Sequence, residues 1–150
     1  MKKTNNKGFS LVELIIVIAI MAVLIGVLAP QFIKYVERSR ESTDLQNVEE
    51  IKTAVETYVA DHGEDSSLPS SIEVALAPAP GSITYTAADG SMDLSEYGID
   101  TTGKKTKSSK WEDTYTYTYD TSGTNAFKWV LSDADGKAVY FNIDGTATSN

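Results

Sequence analysis

The sequence predicts an α+β protein in which the second half of a long N-terminal helix packs under an antiparallel sheet of three or four strands. Apolar residues fill positions 9–29 and then recur every three or four residues up to position 59, which is the periodicity of a helix. Alternating residues and turn signals follow at positions 111–143, which indicates strands joined by hairpins.

The first element is the apolar segment FSLVELIIVIAIMAVLIGVLA, 21 residues at positions 9–29 with one acid, Glu13. A helix of this length extends about 31 Å, which matches the roughly 30 Å hydrocarbon core of a bilayer. A carboxylate inside such a segment costs about 2–3 kcal/mol, so it needs a partner or a function. We therefore predict a membrane-spanning helix in which Glu13 is functional. The simpler alternative is an acid at the helix end that reaches the membrane surface.

Charge is distributed unevenly along the chain. Lys2, Lys3 and Lys7 precede the apolar segment, which predicts a cytoplasmic N-terminus. Without these lysines and Glu13, the totals of 13 basic and 21 acidic residues fall to 10 and 20, so the outer part carries a net charge of -10. Such a surface repels phosphates, so the acidic outer part as a whole is not expected to bind nucleic acid.

A basic start followed by an apolar segment also describes a secretory signal peptide, and Val27, Leu28 and Ala29 resemble the small-residue pattern before a cleavage site. However, Pro30 follows directly, which is a poor position for cleavage, and a signal peptide has no reason to carry Glu13. A retained anchor is therefore expected.

The sequence KGFSLVEL at positions 7–14, followed by an apolar run closed by Pro30, resembles the class III prepilin signature of type IV pilins and pseudopilins. The resemblance covers roughly residues 2–62 and implies the type IV pilin fold. It divides the chain into a leader peptide (1–8), a transmembrane and filament-core helix (9–30), an amphipathic helix of the head (31–62) and a globular β-sheet head (63–150). It also implies that a prepilin peptidase cuts between Gly8 and Phe9 and N-methylates Phe9.

The presence of three residues in this signature, Gly8, Phe9 and Glu13, has a physical explanation. Gly8 lets the backbone lie extended in a protease cleft because it has no Cβ. After cleavage, Phe9 carries a new α-amine that is largely cationic at neutral pH, and Glu13 lies four residues further on the same helix face. The two charges could pair within one chain or between neighbouring subunits. The resemblance implies the second arrangement, with Phe9 and Glu13 as assembly residues.

A break in the helix is predicted at Gly26 and Pro30. Proline removes one backbone hydrogen bond and clashes with the preceding turn, so Pro30 should kink or locally open the helix, and Gly26 weakens the same turn. The resemblance implies that this region can melt in an assembled filament.

Beyond Pro30 the pattern becomes amphipathic, and one stripe should face a core. The helix should end at His62, with Gly63 in the left-handed conformation. Between the two halves lies a run of mixed charge, for which two interpretations stay open: local pairs along the helix, or contacts between filament subunits. The apolar stripe comprises Leu45, Val48, Ile51, Val55, Tyr58 and Val59, and the charged run comprises Glu37, Arg38, Arg40, Glu41 and Asp44.

In the head, Ser70 and Glu73 form a capping-box pattern that predicts a short helix after Pro69. Strands are predicted at 82–86, 111–119, 126–132 and 138–143, and the last three are separated by Asp-to-Gly turns at 120–123 and 133–136. The odd-numbered residues of 111–119, which include Trp111, Tyr115, Tyr117 and Tyr119, should share one face.

Two sets of head residues are candidates for ligand binding. A basic patch beside the aromatic strand could hold DNA or an acidic glycan, but its lysines could equally form a solvated loop that guards a sheet edge. Three acids could gather at one rim and bind calcium, although their spacing misses the EF-hand pattern and turn formation also explains them. The patch is Lys104, Lys105, Lys107 and Lys110, and the calcium candidates are Asp133, Asp135 and Asp144.

No catalytic residue, metal or cofactor is expected, since the chain has no Cys and His62 is the only histidine. The resemblance implies a structural subunit of a filament for adhesion, motility or DNA uptake. The modest size of the head, residues 63–150 with no inserted adhesin domain, favours the major pilin. The implied partners are copies of itself, the prepilin peptidase, the assembly platform with its ATPases, and the cytoplasmic membrane before assembly. The alternatives are a pseudopilin of a type II secretion or competence system, and a minor pilin at the tip that acts as an adhesin or DNA-binding module.

Overall fold

The computed structural model describes residues 8–63, 68–90, 92–100, 104–124, 126–141 and 147–149. The chain divides into two compact units, residues 1–36 and 37–150. Helix α1 spans Leu11–His62, 52 residues, and therefore begins in the first unit and ends in the second.

Helix α1 is continuous through Gly26 and Pro30, so the predicted local opening is absent from the single chain. Proline deprives a helix of one N–H donor, and the turns on either side keep their own hydrogen bonds. Melting of this region in a filament stays a prediction.

The described residues of the second unit form seven strands: β1 Ser71–Leu76, β2 Ser82–Ala87, β3 Lys104–Lys105, β4 Tyr115–Asp120, β5 Trp129–Ser132, β6 Val139–Phe141 and β7 Ala147–Ser149. Strands β1 to β5 form one antiparallel sheet in the order β3-β2-β1-β4-β5. The predicted α+β class is confirmed, with five strands in this sheet rather than three or four.

The prediction of a short helix after Pro69 is wrong, because residues 71–76 form β1 at the centre of the sheet. Ile72, Val74 and Leu76 are completely buried, whereas Glu73 between them is exposed. This alternation has the period of a strand. Pairing with both β2 and β4 outweighs the local capping-box signal of Ser70 and Glu73.

Other predicted strands differ from the structure in their boundaries. The predicted strand at 111–119 begins only at Tyr115, and the one at 126–132 begins at Trp129. Lys104 and Lys105, predicted in a loop, pair with β2 as the short edge strand β3. The predicted strand at 138–143 is described only as far as Phe141, and it pairs with β7 in a separate two-stranded sheet.

The core of the second unit lies between the helix and one face of the sheet. The predicted helical stripe is confirmed, since Val48, Ile51, Val55 and Val59 are buried and Leu45 and Tyr58 are partly buried. The shared aromatic face is confirmed as well: Trp111, Tyr117 and Tyr119 are buried, and Tyr115 packs against them partly buried.

The helix ends at His62 as predicted, but Gly63 is not left-handed. His62 closes the last turn instead, with its Nδ1 2.9 Å from the carbonyl oxygen of Tyr58 and its ring stacked on the Tyr58 ring at 4.3 Å. These two contacts fix the His62 side chain against the last turn of the helix.

Candidate assembly and processing site

Residues 8–10, directly before the helix, are exposed. Gly8, Phe9 and Ser10 are exposed, and the Phe9 residue is 86% exposed. A Cβ added at Gly8 would meet nothing within 4 Å, so the fold of the single chain does not require glycine there. Any requirement for Gly8 must therefore come from another molecule that handles this peptide bond.

Glu13 closes the first turn of α1. Its Oε2 accepts a hydrogen bond from the backbone N–H of Ser10 at 2.9 Å, while the N–H of Leu14 donates to the Ser10 carbonyl at 3.2 Å. Ser10 to Glu13 thus has the spacing of a capping box, a signal that our sequence analysis did not use. A carboxylate is also favoured at this end by the helix dipole. Glu13 therefore has a local structural role before any subunit contact.

Large apolar side chains cover the first unit and lack a core of their own. Their exposure ranges from 44% at Val17 to 86% at Phe9, and the first buried residue of the helix is Glu41. An 18-residue window of α1 has a mean hydropathy of 3.1 and no buried residues, so the helix is long and apolar enough to cross a membrane. Such a continuous apolar surface needs either lipid or other protein chains around it.

In the second unit, a row of helix acids holds the segment 106–111, which we name the strap. Asp44 is completely buried and is the centre of this contact. It accepts hydrogen bonds from the N–H of Lys107 at 3.0 and 3.1 Å, from the N–H of Ser108 at 2.8 Å and from Nε1 of Trp111 at 3.0 Å. One carboxylate therefore fixes both ends of the strap to the helix.

Glu37, two turns earlier on the helix, holds the middle of the strap. Its Oε1 accepts hydrogen bonds from the hydroxyls of Ser108 and Ser109 at 2.7 and 3.0 Å and from the N–H of Ser109. The Ser108 hydroxyl contributes most to holding the pKa of Glu37 below its usual value, the Ser109 donors and the Arg40 charge act in the same direction, and burial opposes them. The bonds to Glu37 thus favour its ionised form.

Two of the four patch lysines pair with helix acids. Lys110 Nζ lies 3.2 Å from Oε2 of the buried Glu41, and Lys104 forms an ion pair with Glu50. Lys105 and Lys107 are exposed. Lys104 and Lys110 therefore hold the sheet edge and the strap to the helix. Ligand binding by the patch stays a prediction.

The mixed-charge run has a third role that neither sequence interpretation included. The local pair between Glu37 and Arg40 is present at 3.5 Å, but Glu37, Glu41 and Asp44 also bind a segment more than 60 residues away. Their spacing of four and three residues puts them on one helix face. The sequence could show this face, but it could not show that serine and tryptophan donors lie opposite it.

Two of the three calcium candidates, Asp133 and Asp135, lie in a turn. Asp133 Oδ1 accepts hydrogen bonds from the N–H of Asp135 at 3.1 Å and from the N–H of Lys137 at 2.9 Å, which is the usual role of Asp in a turn that ends in Gly136. Among the residues that the structure describes, no group of three or more potential ligands could hold a metal ion. Asp144 lies outside the described residues.

Comparison with known proteins gives consistent matches. The family model described as "Prokaryotic N-terminal methylation motif" matches residues 3–29. The type IV major fimbrial protein FimA of Dichelobacter nodosus is 35% identical over 109 residues, which cover 68% of this chain and 69% of FimA. No solved structure matches.

Two further relatives share a smaller part of their length. The prepilin peptidase-dependent protein A of Clostridium perfringens is 30% identical over 100 residues, 67% of this chain and 63% of that protein. Another FimA of Dichelobacter nodosus is 40% identical over 62 residues, 41% of this chain and 40% of FimA. The chain thus spans less than two thirds of the length of these two relatives.

Proposed function

The chain belongs to the type IV pilin family, a family of structural rather than enzymatic proteins, and we propose that it is the major subunit of a type IV pilus filament. The observation that carries the proposal is the apolar first half of α1. It has no buried residue before Glu41, and the methylation motif at residues 3–29 covers most of it. Family membership implies self-polymerisation and processing by a prepilin peptidase. Two successive environments, lipid and then neighbouring helices, would bury this surface.

We propose that the peptidase cuts between Gly8 and Phe9 and methylates the Phe9 amine. The N-terminus lies on the cytoplasmic side before assembly, and the cytoplasmic assembly ATPases and their membrane platform then extract the subunit into an extracellular filament. In the filament, Glu13 pairs with the Phe9 amine of a neighbouring chain, which removes two unpaired charges from an apolar core. The acidic head faces the surroundings in adhesion, motility or DNA uptake.

Abundance in surface fibres tests this proposal. Filaments are sheared from cells that express the chain, collected by centrifugation, and separated by gel electrophoresis beside the whole-cell fraction. A major pilin dominates the sheared fraction. A chain that stays in the cell membrane and is rare in the fibres would instead be a pseudopilin or a minor pilin at the tip.

A further inference from the structure

The exposed apolar surface of the first unit continues past the predicted end of the transmembrane helix. Phe32, Ile33 and Tyr35 are 66–68% exposed, and Val36 is the first residue of α1 that is partly buried. Large apolar side chains that touch nothing in their own fold need another molecule around them. The surface with this need therefore ends near Tyr35 rather than at Pro30.

Two polar groups lie at the end of this surface. Lys34 and Tyr35 are exposed, and the described ion pairs and side-chain hydrogen bonds involve neither the Lys34 ammonium nor the Tyr35 hydroxyl. Both side chains combine an apolar body with a polar tip. Such side chains are favoured where hydrocarbon meets water, because the body stays in the apolar layer while the tip reaches the lipid headgroups.

The four residues at positions 32–35 surround the helix. Successive residues of an α-helix are turned by about 100°, so four consecutive side chains point to almost every side. The segment before them is equally apolar all round, with a window of 18 residues that has a mean hydropathy of 3.1 and no buried residue. A docked protein would cover one side of such a helix, whereas lipid covers all sides at once. The occupant that fits the single subunit is therefore lipid.

Length determines which residues the hydrocarbon can cover. The 20 residues at positions 14–33 carry no charge, and Glu13 and Lys34 flank them. At about 1.5 Å per residue they extend about 30 Å, which is the thickness of the hydrocarbon core. A layer over 9–29 would instead enclose the Glu13 carboxylate and leave the Phe32 ring in water, and both are unfavourable.

We propose that Lys34 and Tyr35 anchor α1 in the lipid headgroups of the outer leaflet before assembly, so that hydrocarbon covers positions 14–33. The Lys34 ammonium binds lipid phosphates, and the Tyr35 ring lies at the level of the headgroups with its hydroxyl towards water. Glu13 lies at the inner surface of the same layer. Pro30 lies inside it, which transmembrane helices tolerate.

The anchors also fix the depth of the peptide bond that is proposed for cleavage. Phe9 precedes Glu13 by four residues, so with Glu13 at the inner surface the bond between Gly8 and Phe9 lies outside the hydrocarbon, where water for hydrolysis is present. A helix that slid towards the outer side would draw this bond into the apolar layer. This inference rests on the proposed function, because the lipid environment is that of the subunit before assembly.

Spin-label depth measurements test the position of the bilayer, because the chain has no cysteine and each label can be placed alone. Full chains with Leu28→Cys, Phe32→Cys or Ser39→Cys are labelled with a nitroxide and reconstituted into vesicles of phosphatidylcholine and phosphatidylglycerol. Collisions with oxygen, which concentrates in hydrocarbon, are compared with collisions with a water-soluble nickel chelate present on both sides. Lipids labelled at known carbons calibrate the depth. We expect oxygen to dominate at positions 28 and 32 and nickel at position 39.

The three labels separate this inference from the proposed function. A label at position 32 that meets the nickel chelate as often as the label at position 39 would overturn the inference. The filament function would then stand, because the label at position 28 would still be in hydrocarbon and the abundance in sheared fibres decides that function. A label at position 28 in contact with water would instead reject the membrane stage of the proposed function.

Removal of the anchors tests their role apart from helix length. In the Phe32→Cys chain, Lys34→Leu with Tyr35→Leu extends the uncharged run to Val36, so the label should lie up to about 4.5 Å deeper as the helix tilts or slides. The matched control is Lys34→Arg with Tyr35→Trp, which keeps a cation and an interfacial ring and should leave the depth unchanged. Equal depth in all three chains would contradict anchoring by Lys34 and Tyr35.

Discussion

Asp44 holds the strap to the helix through a single carboxylate. It is completely buried on the helix and accepts hydrogen bonds from two backbone amides and the Trp111 indole. A buried charge is tolerated when donors of this kind surround it, and each donor would lack a partner without it. Asp44 is thus a structural residue at the start of the head.

Replacement of Asp44 by Ala should lower the free energy of unfolding by about 1–3 kcal/mol, because buried donors are left without an acceptor. Urea denaturation of the full chain in detergent, followed by tryptophan fluorescence, measures the loss. Glu112→Gln is the matched control, since Glu112 is exposed beside the same strap. Equal stability of the Asp44 and Glu112 variants would show that the strap contacts contribute little.

Glu37 should make the strap sensitive to acid. Its pKa is lowered from the ordinary value of 4.5, first by the Ser108 hydroxyl, so its contribution to stability is present above that ordinary value and is lost as the pH falls through the lowered pKa. Glu37→Gln should therefore be less stable than the native chain at neutral pH, and the difference should disappear in strong acid. A difference that persists unchanged in acid would contradict this role. Thermal unfolding across the pH range provides the measurement.

Glu13 has a capping role in the single chain and a proposed pairing role in the filament, and two substitutions separate them. Glu13→Ala loses both, whereas Glu13→Gln keeps an oxygen that can cap Ser10 but loses the charge. We expect both variants to give far fewer sheared filaments at an equal cellular level of the chain, as measured by immunoblotting. Normal filament yield from Glu13→Gln would mean that capping alone explains the residue.

At the scale of elements, β1 was the main error of the sequence analysis. A capping-box pattern describes only a few neighbouring residues, while the strand conformation of 71–76 is fixed by two partners that are distant in sequence. The alternation of Ile72, Val74 and Leu76 was a usable signal. It has the correct period, and six residues are a normal length for a strand and short for a helix.

A substitution at Glu73 distinguishes a strand from a helix by the sign of its effect. Glu73 lies opposite Thr86 on one side and Thr118 on the other. Glu73→Thr should raise stability by about 0.2–1 kcal/mol through cross-strand threonine pairs, and Glu73→Ala should not. Urea unfolding of both variants decides between the two structures, since a helix would favour alanine over threonine.

At the scale of the molecule, local patterns were sufficient to predict helix α1 and insufficient for much of the sheet and its contacts with the helix. The periodicity from Leu11 to His62 predicted the helix and its buried stripe, because each residue interacts mainly with neighbours three or four positions away. The strap could not be predicted, because its contacts join Asp44 to Ser108 across 64 positions. The positive φ of Phe127 could not be predicted either, because phenylalanine rarely adopts this conformation and nothing in the residue type indicates it.

The chain has an apolar N-terminal half-helix that needs other molecules around it and a head whose core is its own. In the proposed processing, cleavage after Gly8 leaves the apolar half-helix attached to the head. The N-terminus of the assembled subunit reports on this step directly, because cleavage at Gly8 keeps the whole apolar segment and cleavage after Ala29 would remove it.

The most direct test is intact-mass spectrometry of sheared filaments. We predict that the main species begins at Phe9, ends at the native C-terminus, and carries one additional methyl group that tandem fragmentation places on the Phe9 amine. A filament protein that retains residues 1–8, or a secreted form of this chain that begins at Pro30, would contradict the account.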